Sequence, residues 1–152
     1  MFERFAATAK SAVTAAVDEA RERGDRSVGT EHLLLAVLRD GEGETLLGVR
    51  AADARAAADE LDRRALAAVG VDLGTFRPTG PAPRRKSPRF GAGAKDVLAR
   101  SLTLAMGARA KRIELRHLLL ALLERDPRDP VADLFTALGV DTVEARARIF
   151  AS

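Results

Sequence analysis

Apolar positions along this chain recur at helical spacing, and nowhere do they alternate as a half-buried strand would. Phe2, Phe5, Ala9, Ala12, Val13, Ala16, Val17 and Ala20 mark one face of a long first helix, with Gly24 as its stop. The box Gly29-Thr30-Glu31 opens a second, strongly apolar helix from His32 to Leu38. Thr30 supplies an N-cap hydroxyl there, and Glu31 a carboxylate suited to the positive end of the helix dipole. Gly41 and Gly43 break that helix. A short third helix is predicted over 45–50 and a fourth over 53–69, with Leu61, Ala65, Leu66 and Val69 turned inward and Gly70 as the close. Beyond a Pro-rich stretch the pattern resumes, with helices over about 91–108, 115–123, 131–138 and 141–150, the last capped by Asp141 or Thr142.

The second half repeats the first. Phe5 matches Phe90, Ala9-Lys10 matches Ala94-Lys95, Ala20 matches Ala105, and the run from His32 to Leu38 matches that from His117 to Leu123, all at one offset of 85 residues without a gap. A shared offset of this extent marks an internal repeat. It predicts an all-α fold of two tandem four-helix units, 1–76 and 90–152, related by a pseudo-twofold axis and joined by a linker over 77–89. The cores are Leu33 to Leu38 and Leu118 to Leu123, and no strand pairing is expected. A duplicated unit packed on itself leaves a groove at its seam, and that groove is where a site should lie.

Composition narrows the class. The chain has 152 residues, 47% of them apolar, enough for a core without covalent staples. It has no Cys, which removes disulfides and thiolate chemistry, and no apolar run near the roughly 20 residues of a membrane span. Its first ten residues lack the apolar centre of a secretory signal, so a soluble cytoplasmic protein is expected. The sequence pI of 9.9 suggests nucleic acid until the charge is divided. Residues 1–76 hold 10 Lys/Arg against 14 Asp/Glu, residues 77–89 hold 5 against none, and residues 90–152 hold 10 against 8. The basicity therefore sits in the linker, where Arg77, Arg84, Arg85, Lys86 and Arg89 stand among Pro78, Pro81, Pro83 and Pro88. With no Trp or Tyr to stack on bases and no Lys/Arg stripe on a helix, specific nucleic-acid binding is not expected.

Catalytic and metal chemistry find little footing. The two histidines, His32 and His117, sit at equivalent points of two leucine-rich helices and suit structural hydrogen bonds. No His pair has ligand spacing, and Asp126, Asp129 and Asp133 lack the order of a calcium loop and read as loop and cap residues. Gly91-Ala92-Gly93-Ala94-Lys95 is the nearest approach to a phosphate loop, and it lacks both the spacing and the hydroxyl. No metal, cofactor or enzymatic activity is expected.

The opening Met1-Phe2-Glu3-Arg4-Phe5, the box Gly29-Thr30-Glu31-His32-Leu33-Leu34-Leu35, the turn Gly41-Glu42-Gly43 and the restart at Phe90 closely resemble the duplicated amino-terminal domain of the Clp (Hsp100) ATPases, especially the ClpC type. The resemblance covers essentially the whole chain, without the ATPase modules. It implies a mobile, non-catalytic docking domain that recruits substrates and adaptor proteins to an unfoldase ring feeding a peptidase. It also implies that the two long-helix starts lie side by side. Phe2, Phe5 and Phe90, with Arg4, Lys10 and Lys95 at the rim, would then bind a partner peptide or an apolar cyclic peptide. For ClpC-type domains it further implies recognition of phosphoarginine by a Glu of each box and a Thr just after the Phe of each long helix. Here those Thr positions are Ala6 and Gly91, and the second Glu position is Arg116, so Glu31 is left as the one phosphoarginine residue, with helix capping as its other role. Three functions stay open: a docking module for a Clp protease, a free-standing decoy that sequesters cyclic-peptide antibiotics or other ligands aimed at that protease, and, least supported, an enzyme.

Overall fold

The computed structural model describes residues 2–70 and 87–152. The linker assigned to 77–89 lies outside the described residues except for Ser87, Pro88 and Arg89. A 3-10 turn, Phe2–Arg4, precedes α1 (Ala7–Glu22), α2 (Thr30–Val37), α3 (Gly41–Leu47) and α4 (Ala51–Ala68). The second unit runs α5 (Ala92–Gly107), α6 (Leu115–Leu123), α7 (Pro130–Ala137) and α8 (Thr142–Ala151). The all-α expectation stands, as does, among the described residues, its division into four helices and four.

The two leucine helices lie at the centre. Leu33 to Leu38 and Leu118 to Leu123 are buried without exception, so α2 and α6 are apolar on all sides, as helices enclosed by others must be. Helix α1 covers α2 and α5 covers α6, while α2 and α6 touch each other. Contacts of α2 with α7 and of α3 with α6 interleave the units, which therefore share one core.

Strand pairing, which the sequence pattern excluded, is present in miniature. Two residues of β1 (Ser27–Val28) pair in parallel with β2 (Arg89–Phe90), placing Val28 opposite Phe90. An isolated bridge sets Phe5 opposite Ile113, the position equivalent to Val28 in the second unit. The hydrogen bonds correspond too: Gly91 N–H donates to the Val28 carbonyl at 3.0 Å, and Ala6 N–H to that of Ile113 at 2.8 Å. Each unit thus hands its opening residues to the other. Pairings of one or two residues are too short to display alternation, so no sequence period could announce them.

Helix boundaries moved for local reasons. Gly41 and Gly43 begin α3 where they were expected to break a helix, and the element expected over 45–50 ends at Leu47. The Asp40 carboxylate caps it by accepting the Glu42 N–H at 2.8 Å. Gly43 lies so close to the Val37 carbonyl that a Cβ there would collide with backbone, so close packing against the end of α2 sets aside the usual helix cost of glycine. The N-cap of α2 is Gly29 in place of Thr30, since His32 Nδ1 accepts the Gly29 N–H at 2.8 Å. On α4, Ala54 and Ala58 face the core, whereas Ala65 and Val69, expected inside, are exposed.

Thr30 serves a different purpose. Its hydroxyl bonds to Asp129, the N-cap of α7, which also accepts the Val131 N–H at 3.1 Å and Arg125 Nε–H at 2.9 Å. Burial alone would raise the Asp129 pKa, but the bonds from Thr30, Val131 and Arg125, with the arginine's charge, outweigh it and hold the carboxyl below the usual aspartate range.

Leu34→Ala and Leu119→Ala should each cost about 2–5 kcal/mol, because both side chains are wholly enclosed and the units share one core. Chemical denaturation of either variant checks this, and an unchanged midpoint would contradict it. Asp129 carries a depressed folded-state pKa, so its contribution is present above the unfolded aspartate value and is lost as pH falls through the folded one. Asp129→Asn should therefore lower stability at pH 7, and the gap to the parent chain should close below about pH 4 in melts run across pH.

Candidate functional site

The exchanged strand ends create a cleft of about 770 Å³ beside the start of α5. Its walls are Phe5 and Ile113 from the single bridge, Phe90 from β2, and Leu98 and Leu102, one turn apart on α5. Arg4, Arg89 and Lys95 stand exposed at its edge. Of the residues assigned to the seam, Arg4, Phe5, Phe90 and Lys95 are brought together here. Lys10 is exposed on α1 and is not part of these walls. Phe2 opens the first 3-10 turn, and its side chain lies outside the described residues.

The aromatic pair is unequal. Phe5 is 7% exposed and belongs to the core, so its contribution is to shape the cleft floor; Phe90 is only half buried and offers its ring to the cleft. Sequence reasoning missed Arg89, Leu98, Leu102 and Ile113. Ile113 was within reach, because it stands 85 residues after Val28, and whatever pairs with Phe90 has a counterpart facing Phe5.

Glu31 lies in a second, more polar cleft of about 520 Å³, whose walls include Arg23, Arg26, Asp62 and Asp133. It sits in the first turn of α2, with Oε1 3.2 Å from His32 Nδ1 and Oε2 buried without a hydrogen-bond partner among the described residues. Among the described residues it accepts no backbone N–H, and its charge favours the helix start. Because the strands cross over, the segment leading into this box pairs with the start of α5 and not of α1. A Cβ on Gly91 would lie 3.0 Å from Ser27 Oγ. In the second box Glu114 is the N-cap, and His117 Nδ1 accepts its N–H at 2.9 Å, so this helix start is closed although its Thr is missing. Arg116 replaces the carboxylate and donates to the Ser152 carbonyl at 2.7 Å.

The histidines are occupied structurally. Since Nδ1 of His32 accepts, Nε2 carries the proton in the neutral ring and donates to Asp25 at 2.7 Å. Burial pushes the His117 pKa down, with Arg116 adding to that effect and Glu114 opposing it. Among the described residues no three His, Cys, Asp or Glu side chains gather as a metal site, and no helix is long and apolar enough to cross a membrane.

The family model of the Clp repeat (R) N-terminal domain matches residues 4–50. Chaperone protein ClpC1, chloroplastic, of Oryza sativa subsp. japonica is 31% identical over 154 residues, covering 98% of this chain and 15% of that protein. The ClpA homolog described as an ATP-dependent Clp protease ATP-binding subunit in Guillardia theta is 30% identical, with 98% and 17% covered. The chain thus spans about 15% of the length of the first such relative. Among solved structures, the N-terminal domain of the caseinolytic protease associated chaperone ClpD from Arabidopsis thaliana superposes with a TM-score of 0.76 at 22% identity, covering 99% of this chain and 95% of that one. The Hsp104 N-terminal domain from Candida albicans gives 0.68 at 20% identity, with 97% and 90% covered. Both likenesses concern the fold.

Proposed function

The chain belongs to the Clp repeat N-terminal domain family, and we propose that it is a non-catalytic docking module that holds substrate segments or adaptor proteins for a Clp unfoldase-protease. The observation that carries this reading is the cleft at the exchanged strands: the half-buried Phe90 and Leu102 stand over a buried base of Phe5, Leu98 and Ile113. An accessible apolar hollow with a half-buried aromatic ring is the form in which a protein accepts another chain's side chain, since the ring adds large contact area at little rotamer cost. Phe5 serves as foundation and Phe90 as anchor.

Added in trans to a Clp unfoldase-protease degrading a labelled unstructured protein, the intact chain should compete for substrate and slow degradation. Phe90→Ala should relieve that inhibition with helicity unchanged and weaken a bound peptide by roughly 1–3 kcal/mol in calorimetry. Undiminished inhibition by the folded variant would move the site elsewhere. Tight binding of an apolar cyclic peptide, with no effect on the protease, would favour the decoy role.

If phosphoarginine is bound, Glu31 is the place for it: one of its carboxylate oxygens is buried without a hydrogen-bond partner among the described residues, whereas the matching position carries the Arg116 guanidinium, which would repel the ligand's own. Titration with free phosphoarginine should show at most one site, abolished by Glu31→Ala and indifferent to Arg116→Ala. Two equivalent sites would refute this asymmetry.

A further inference from the structure

We infer that the apolar cleft selects extended peptide segments in which large apolar side chains are flanked by Asp or Glu, an inference that rests on the docking role of that cleft. Among the described residues, the cleft's walls carry three cations and no acid. Arg4, Arg89 and Lys95 are exposed, and none makes an ion pair with another described residue. Their nearest acidic neighbours along the chain behave otherwise: Asp96 lies 3.8 Å from Arg125, and neither it nor Glu3 is part of the cleft.

Some cations elsewhere are met by carboxylates, Arg23 by Asp59 and Asp62, Arg39 by Glu19, and Arg100 and Arg146 by Glu124. What distinguishes the cleft is that three cations without a described carboxylate partner line one apolar hollow. An apolar hollow excludes water from one side of its rim, so rim charges there act on a ligand through a medium less screening than bulk solvent. Anionic flanks would relieve the mutual repulsion of the three cations, and basic flanks would add to it. The apolar floor supplies affinity for the central side chains, and the rim supplies discrimination and association rate. The same floor disfavours a bare polyanion, which brings charge but nothing to bury against Leu98, Leu102 and Ile113.

Fluorescence anisotropy of the whole chain with three labelled peptides tests this: Asp-Glu-Leu-Phe-Leu-Glu-Asp, the same centre flanked by Ser, and the same centre flanked by Lys and Arg. The acidic peptide should bind about tenfold tighter than the serine one and the basic peptide most weakly. The acidic preference should fade as salt rises from about 20 to about 300 mM. The double variant Arg4→Glu, Arg89→Glu alters exposed side chains, should keep the helical spectrum, and should reverse the order of the peptides. Equal binding of acidic and serine peptides would overturn the charge selection while leaving docking intact. Absence of binding by all three would remove both. Competition by oligothymidylate as strong as by the acidic peptide would overturn the peptide assignment in favour of a polyanion.

Discussion

Everything at the seam depends on a reciprocal exchange of backbone hydrogen bonds. Residues at the head of each unit are accepted by the other, Val28 facing Phe90 and Phe5 facing Ile113. Backbone groups entering a core must find partners, and short segments ahead of a helix have none of their own. The exchange answers that need twice, with equivalent hydrogen bonds from Gly91 to Val28 and from Ala6 to Ile113. It also fixes where α1 and α5 begin, leaves the apolar cleft between the exchanged ends, and turns the Glu31 box toward the opposite unit.

The repeat and the core were legible in the sequence because both are long signals. An ungapped offset and two runs of buried leucine leave few other solutions. What escaped were features made by contacts distant along the chain. Thr30 is a good N-cap by type, yet its hydroxyl goes to Asp129, 99 residues away, while His32, three residues on from Gly29, closes the cap. Gly41 and Gly43 look like breakers, and only the nearness of the Val37 carbonyl explains a glycine within α3. The two strands were invisible for want of length.

The candidate cleft was legible by half. Arg4, Phe5, Phe90 and Lys95 do converge, as the repeat offset and the family resemblance implied. Lys10 does not join them because it is the counterpart of Lys95 and so lies across the axis on α1. Aromatic type alone could not separate the buried Phe5 from the half-buried Phe90, since burial depends on which strand partner each receives. The charge pattern of the rim is likewise a spatial property. Arg89 counts in sequence as part of a basic linker, but its backbone pairs with Ser27 and its side chain edges the cleft.

The exchange has a consequence for how the two halves can diverge. Its contacts are those of an isologous dimer, in which one patch meets its own copy, but both copies here are encoded in a single chain. In a true homodimer a substitution strikes both sides at once. Here Glu31 and Arg116 occupy matching positions with opposite charge, and equivalent backbone hydrogen bonds lie beneath them. Covalent linkage has turned a symmetric joint into a pair of separately heritable surfaces, free to specialise while the frame that holds them stays twofold.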